Sequence, residues 1–158
     1  MKSVIATLVG GALLASSLSV AAVEPAKQIE LRQAGFSYMA WNMGKLKAQV
    51  IDGSVEYNQQ QVEAAANTIA AIANSGIGAL FGPGTEQNIG DVHTKVDPAL
   101  FENMQDVAQL AGNMGTAANT LAEKAAAGDQ SEIRVAFGEV GKTCKACHDE
   151  YKSQDYLY

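Results

Sequence analysis

Residues 133–151 read IRVAFGEVGKTCKACHDEY, and this stretch decides the fold. Within it Ile133, Phe137, Val140, Cys144, Cys147 and Tyr151 follow one another at intervals of 4, 3, 4, 3 and 4 residues, a spacing that places all six on one face of an α-helix. Cys144-Lys145-Ala146-Cys147-His148 sets two thiols two residues apart, with an imidazole directly after the second. This is the pattern for covalent attachment of a c-type haem. On a helix, two thioethers hold one edge of the porphyrin while His148 reaches the iron. The attachment face continues the apolar face, so the haem is expected inside the core.

Other uses of a paired cysteine fit less well. A thioredoxin-like redox pair needs a βαβ context, and a closed structural zinc site usually needs four ligands. The one other histidine is His93, and there is no third cysteine. The pair therefore has no competing disulfide framework.

The N-terminus speaks to compartment. Lys2 gives a positive start, Val4 to Leu14 is an apolar run, Ser16 to Ala22 is rich in small residues, and Val20-Ala21-Ala22 offers a cleavage site. Residues 1–22 read as a removable secretory signal. The competing reading is an uncleaved anchor, because Val4 to Val23 approaches the roughly 20 residues that span a bilayer. Export suits the haem motif, and the expected location is the periplasm, with no membrane contact after cleavage. The remaining residues, 23–158, have the length of one domain with a single core. With Lys2 removed, 10 basic residues face 17 acidic ones, a net charge of −7 before haem is counted. No basic stripe is present to neutralise phosphates, so nucleic acid is not an expected partner.

Taken in order, the chain predicts four helices. The first runs from Pro25 to about Val50, with Ile29, Gln33, Phe36, Ala40, Met43 and Val50 as its stripe and Arg32, Met39 and Leu46 beside it. The second spans Gln59 to about Asn74, capped by Asn58 and stopped by Gly76, with Val62, Ala66 and Ile69 inward. Its many alanines permit a close helix–helix approach. Gly76 to Asp97 reads as an irregular connection, long enough either to cover something or simply to cross between bundle halves. Asp97-Pro98 starts a third helix running to Ala127. Gly128 ends it, and Asp129 with Glu132 resembles a capping box for the fourth. Four helices with no convincing strand argue for an all-α bundle.

At this point the sequence resembles the cytochrome c′ family, the high-spin class II c-type cytochromes. The resemblance rests on Arg32-Gln33, Trp41-Asn42-Met43-Gly44-Lys45, Phe81-Gly82-Pro83-Gly84-Thr85, Ala136-Phe137-Gly138 and the C-terminal placement of Cys144 to His148. It implies an antiparallel left-handed four-helix bundle, which is the family's own architecture and no independent expectation. It also implies a homodimer through the first two helices, and haem c held by Cys144 and Cys147 with His148 as the axial iron ligand. Arg32 and Gln33 match the family pair that contacts the haem and its propionates, although on residues alone Arg32 reads first as a solvated helix charge. Phe36 matches the distal position.

Phenylalanine neither ligates iron nor donates a hydrogen bond, so the resemblance implies five-coordinate iron at rest. Dioxygen is then disfavoured, while carbon monoxide and nitric oxide bind once Phe36 moves, nitric oxide having approach from the proximal side as an alternative. On spacing alone Phe36, Met39 and Met43 all read first as core, and His93 as a solvated side chain. Lys152 stands where many relatives carry arginine, which cannot be replaced in stacking or paired hydrogen bonding by an ammonium. Lys142, Lys145 and Lys152 mark a candidate docking edge for an unidentified redox partner, or simply a solvated face.

The expected role is one-electron transfer, selective gas binding, or both. With no acid–base residue near Phe36, an enzyme is not expected. The alternatives are a haem enzyme processing nitric oxide or peroxide, and a low-spin carrier ligated by Met39 or Met43.

Overall fold

The computed structural model describes residues 23–152. The signal-peptide reading of residues 1–22 lies outside the described residues. Among the described residues five α-helices are present: α1 (Pro25–Leu46), α2 (Gln59–Ala73), α3 (Ala99–Glu102), α4 (Met104–Ala127) and α5 (Gln130–Tyr151). A π-helical turn, Lys47–Ile51, prolongs α1 to the expected end near Val50. Among the described residues there is no strand, only isolated bridges between Ile89 and Val92 and between Val96 and Lys152. No helix there is long and apolar enough to cross a membrane.

The four long helices form an antiparallel bundle, and polar contacts at their ends give its direction. Gln59 Nε2 at the start of α2 donates to the Ala125 carbonyl near the end of α4, at 2.6 Å. Arg134 Nε near the start of α5 donates to the Val50 carbonyl just beyond α1, at 2.9 Å. Lys124 and Glu132 pair at 3.0 Å across the α4–α5 turn. The main packing runs from α1 to α2 to α4 to α5, whereas α1 and α5 meet only sparingly.

Local chemistry explains most of the helix ends. Asn58 accepts from the Gln61 amide at 3.0 Å and caps α2. Asp129 Oδ1 accepts from the amides of Ser131 and Glu132, at 2.8 and 3.3 Å. Only half of the expected capping box forms, because the Glu132 carboxylate is taken by Lys124. Gly128, at φ 82°, stops α4 in a left-handed conformation that a Cβ would strain.

Two expectations need correction. The third helix does not run unbroken from Asp97: the chain leaves helical geometry at Asn103, with φ −121° and ψ 35°. Asp97 does cap the Ala99 amide, at 2.9 Å, but Asn103 Nδ2 donates to the Ala99 carbonyl at 2.8 Å, the position a continuing helix would use for an amide. On α1 the buried face is Ile29, Arg32, Met39, Asn42, Leu46, Gln49 and Val50, while Gln33 and Ala40 are exposed. The inward face is thus rotated toward the expected flank. Arg32 and Asn42, counted as polar by any hydropathy pattern, are buried because each finds hydrogen-bond partners.

The interior forms two apolar clusters. The larger joins Met39, Leu46, Val62, Ile69, Leu121, Ile133 and Val140, with Phe36, Met43, Phe137 and Cys144 packed against it. The smaller holds Leu100, Val107 and Tyr151, with Phe81, Phe101 and Cys147 at its edge.

Candidate haem site

Helix α5 places the cysteines one turn apart at the boundary of the two clusters, Cys144 against the larger and Cys147 against the smaller. Both thiols are free and half-buried. Burial pushes each pKa up, aided at Cys147 by the charges of Cys144 and Asp106. His148 is exposed, and its pKa is lowered by desolvation first and by Lys152 second, against the pull of Asp149.

The donor set fits haem better than a bare ion. Among the described residues no three His, Cys, Asp or Glu side chains gather around one point as a closed zinc site would require. Haem asks less of the protein, because the porphyrin itself supplies four nitrogens and leaves only axial positions to be filled.

Arg32 supplies a second test of fit. It is 2% exposed, and no carboxylate pairs with it among the described residues. Its Nη1 donates to the Leu80 carbonyl (3.0 Å) and Thr85 Oγ1 (2.7 Å), and its Nη2 to the Thr85 carbonyl (2.8 Å) and Thr94 Oγ1 (2.7 Å). The guanidinium lies 4.6 Å from the centroid of the Phe81 ring. Desolvation lowers its pKa. A buried cation with neutral partners favours an anionic group nearby, and the haem propionates have that charge.

The reading of Arg32 as a solvated helix charge is thereby corrected: the side chain anchors the connection. Gln33 is exposed and donates to the His93 carbonyl at 2.6 Å. Gln28 accepts from the Gly82 amide at 3.1 Å, an approach so close that a Cβ at Gly82 would lie 2.5 Å from Gln28 Oε1. These contacts draw residues 80–94 against α1.

Phe36 is half-buried on the larger cluster, its ring centroid 6.4 Å from that of Phe81. Phe36 and Cys144 thus border the same cluster from two helices that pack only sparingly against each other. Met39 is 4% exposed and belongs to the core, and Met43 packs beside it. The His93 side chain is exposed. Lys142 pairs with Glu139 at 2.7 Å and Lys145 with Asp149 at 2.5 Å, so two of the three lysines of that edge are paired.

The sequence profile described as Cytochrome C′ matches residues 27–152. The chain belongs to the cytochrome c′ family. It is 54% identical over 157 residues to the cytochrome c′ of Allochromatium vinosum, covering 98% of this chain and all of that protein. The crystal structure of cytochrome c′ from Thermochromatium tepidum superposes with a TM-score of 0.80 at 55% identity, covering 84% of this chain and 98% of that one. A second solved cytochrome c′, described as having an unusual ligand-controlled dimer dissociation, gives a TM-score of 0.81 at 56% identity over 85% of this chain and 100% of that one.

As a cytochrome c′ this protein is a c-type haem protein with a covalent cofactor, and Cys144 and Cys147 are its two cysteines. Bound haem supplies a redox-active iron with axial positions for a protein or gas ligand. The chain supplies the thiols, the imidazole, an apolar boundary and a buried cation. Thr94 and the partner of Tyr151, Asp106, escaped sequence reasoning; no local pattern marks them.

Proposed function

We propose that this protein is an exported, periplasmic cytochrome c′ with five-coordinate high-spin iron. It binds nitric oxide and carbon monoxide selectively and passes single electrons. In this reading His148 is the axial ligand, Cys144 and Cys147 form the thioethers, Arg32 and Gln33 lie toward the propionate side, and Phe36 covers the distal position. The observation that carries the reading is Phe36 itself. It borders the same cluster as Cys144, stacks at a tilt on Phe81 and brings no group that ligates iron or donates a hydrogen bond.

Association through α1 and α2 is supported by an apolar stripe on α1. Leu31, Tyr38 and Trp41 are 42%, 52% and 55% exposed. Tyr38 and Trp41 stack with centroids 5.4 Å apart, and Lys45 Nζ sits 4.5 Å from the centre of the Trp41 ring. Exposed aromatic area of this kind marks an interaction face.

Optical spectra of the ferric and ferrous protein, before and after carbon monoxide, nitric oxide and dioxygen, test the proposal. High-spin spectra with adducts of the first two gases are expected. A low-spin resting spectrum would place a methionine on the iron, and turnover of nitric oxide or peroxide well above that of free haem would favour an enzyme.

A further inference from the structure

The turn of α5 that follows His148 is tied down more firmly than a helix end requires. Tyr151 OH donates to Asp106 Oδ2 at 2.7 Å, joining the last turn of α5 to the first turn of α4. The Tyr151 carbonyl accepts from the Asp97 amide at 2.9 Å, and Lys152 forms an isolated bridge with Val96. The Tyr151 ring is buried with Leu100 and Val107, in the cluster on which Cys147 packs. The hydrogen bond to Asp106, together with burial, pushes the phenol up to about 12, so it stays a donor across the physiological range.

Neighbouring side chains do not duplicate this tie. His148, Asp149 and Glu150 are exposed. Asp149 pairs only with Lys145, on its own helix, and so cannot anchor that helix to another. The backbone of this turn sets where the His148 side chain begins, and that backbone is tied to the bundle through Tyr151, three residues on.

We propose that the Tyr151–Asp106 hydrogen bond is a positioning clamp for the proximal face of the haem. It fixes the position of the α5 turn from which His148 would reach the iron. Tyr151 acts through the backbone of α5 and does not touch the reacting atoms. The inference rests on the five-coordinate reading above.

The test uses the ferrous holoprotein as wild type, Tyr151→Phe, Asp106→Ala, Asp106→Asn and the Tyr151→Phe/Asp106→Ala double variant. Tyr151→Phe keeps the ring and removes the donor, whereas Asp106→Asn keeps an acceptor oxygen. The readouts are the iron–histidine stretching band by resonance Raman, the rate at which a six-coordinate nitric oxide adduct loses His148, and amide exchange at Asp97 and Lys152.

Tyr151→Phe and Asp106→Ala should shift or broaden the band alike. Each should speed both His148 loss and amide exchange about tenfold, the scale of one side-chain hydrogen bond. The double variant should match the singles, and Asp106→Asn should stay near wild type. An unchanged band and unchanged exchange in Tyr151→Phe, with only thermal stability reduced, would reduce Tyr151 to packing and overturn the clamp. Asp106→Asn behaving like Asp106→Ala would overturn it in favour of the carboxylate charge. A wild-type spectrum without a five-coordinate iron–histidine band would refute the reading beneath the proposal instead. Amide exchange would then still decide whether the clamp exists.

Discussion

Replacing Arg32 by methionine keeps most of the buried volume and removes four hydrogen bonds of 2.7 to 3.0 Å to Leu80, Thr85 and Thr94. At about 1.5–3 kcal/mol for each bond from a charged donor, the gross loss is about 6–12 kcal/mol. Removing the buried guanidinium also relieves a desolvation penalty of several kcal/mol, so a net destabilisation of about 3–5 kcal/mol is expected. For a domain of this length that lowers the melting temperature by about 10–20 °C. Arg32→Lys keeps the charge but not the planar fork and should lose about 2 kcal/mol. Urea unfolding of the ferric holoprotein, followed by far-ultraviolet circular dichroism and by the Soret band, measures both variants. A loss below about 1 kcal/mol for Arg32→Met, the range of an exposed charge, would refute the assignment of Arg32 as the anchor of residues 80–94.

Phe36→Ala opens space beside Phe81 and should raise the carbon monoxide association rate measured by flash photolysis; an unchanged rate would show that the ring is no gate. Trp41→Glu sets a carboxylate on the exposed aromatic stripe of α1 and should shift the protein to monomer in sedimentation velocity, with an intact Soret spectrum. Persistence of any dimer at wild-type strength would place the interface elsewhere. Asp129 is held below its ordinary 3.8 by the Ser131 hydroxyl first and then by the amides of Glu132 and Ser131. A carboxylate depressed in the folded state adds stability that is complete above its unfolded pKa and lost as pH falls through the folded one. The urea midpoint of wild type relative to Asp129→Ala should therefore be highest at neutral pH and decline below about pH 4, and a difference undiminished at about pH 2 would rule out the carboxylate as the cap.

The features legible in the sequence are those decided within one or two helical turns. Asn58 and Asp129 mark the starts of α2 and α5, and Gly128 the end of α4, because a cap satisfies amides only two or three residues away. Cys144 to His148 is legible because covalent chemistry dictates its spacing. The break at Asn103 is not: it depends on an asparagine amide competing for a carbonyl four residues back, which a solvated asparagine with the same neighbours need not do. Arg32 and Asn42 lie on the buried face of α1 for reasons no periodicity contains, since the partners of Arg32 are 48 to 62 residues distant. Tyr151 fell on the apolar stripe as expected, but its hydroxyl partner lies 45 residues away.

Those separations also order the events of folding. The α4–α5 hairpin closes over a turn of two residues, while the bonds of Arg32 wait for α1 to meet a segment 48 to 62 positions downstream, a closure that carries a larger entropic cost. Helix α5 is accordingly formed, with its thiols on one face, while the seam facing α1 is still wide. Docking of residues 80–94 by Arg32 is the long-range closure that narrows it.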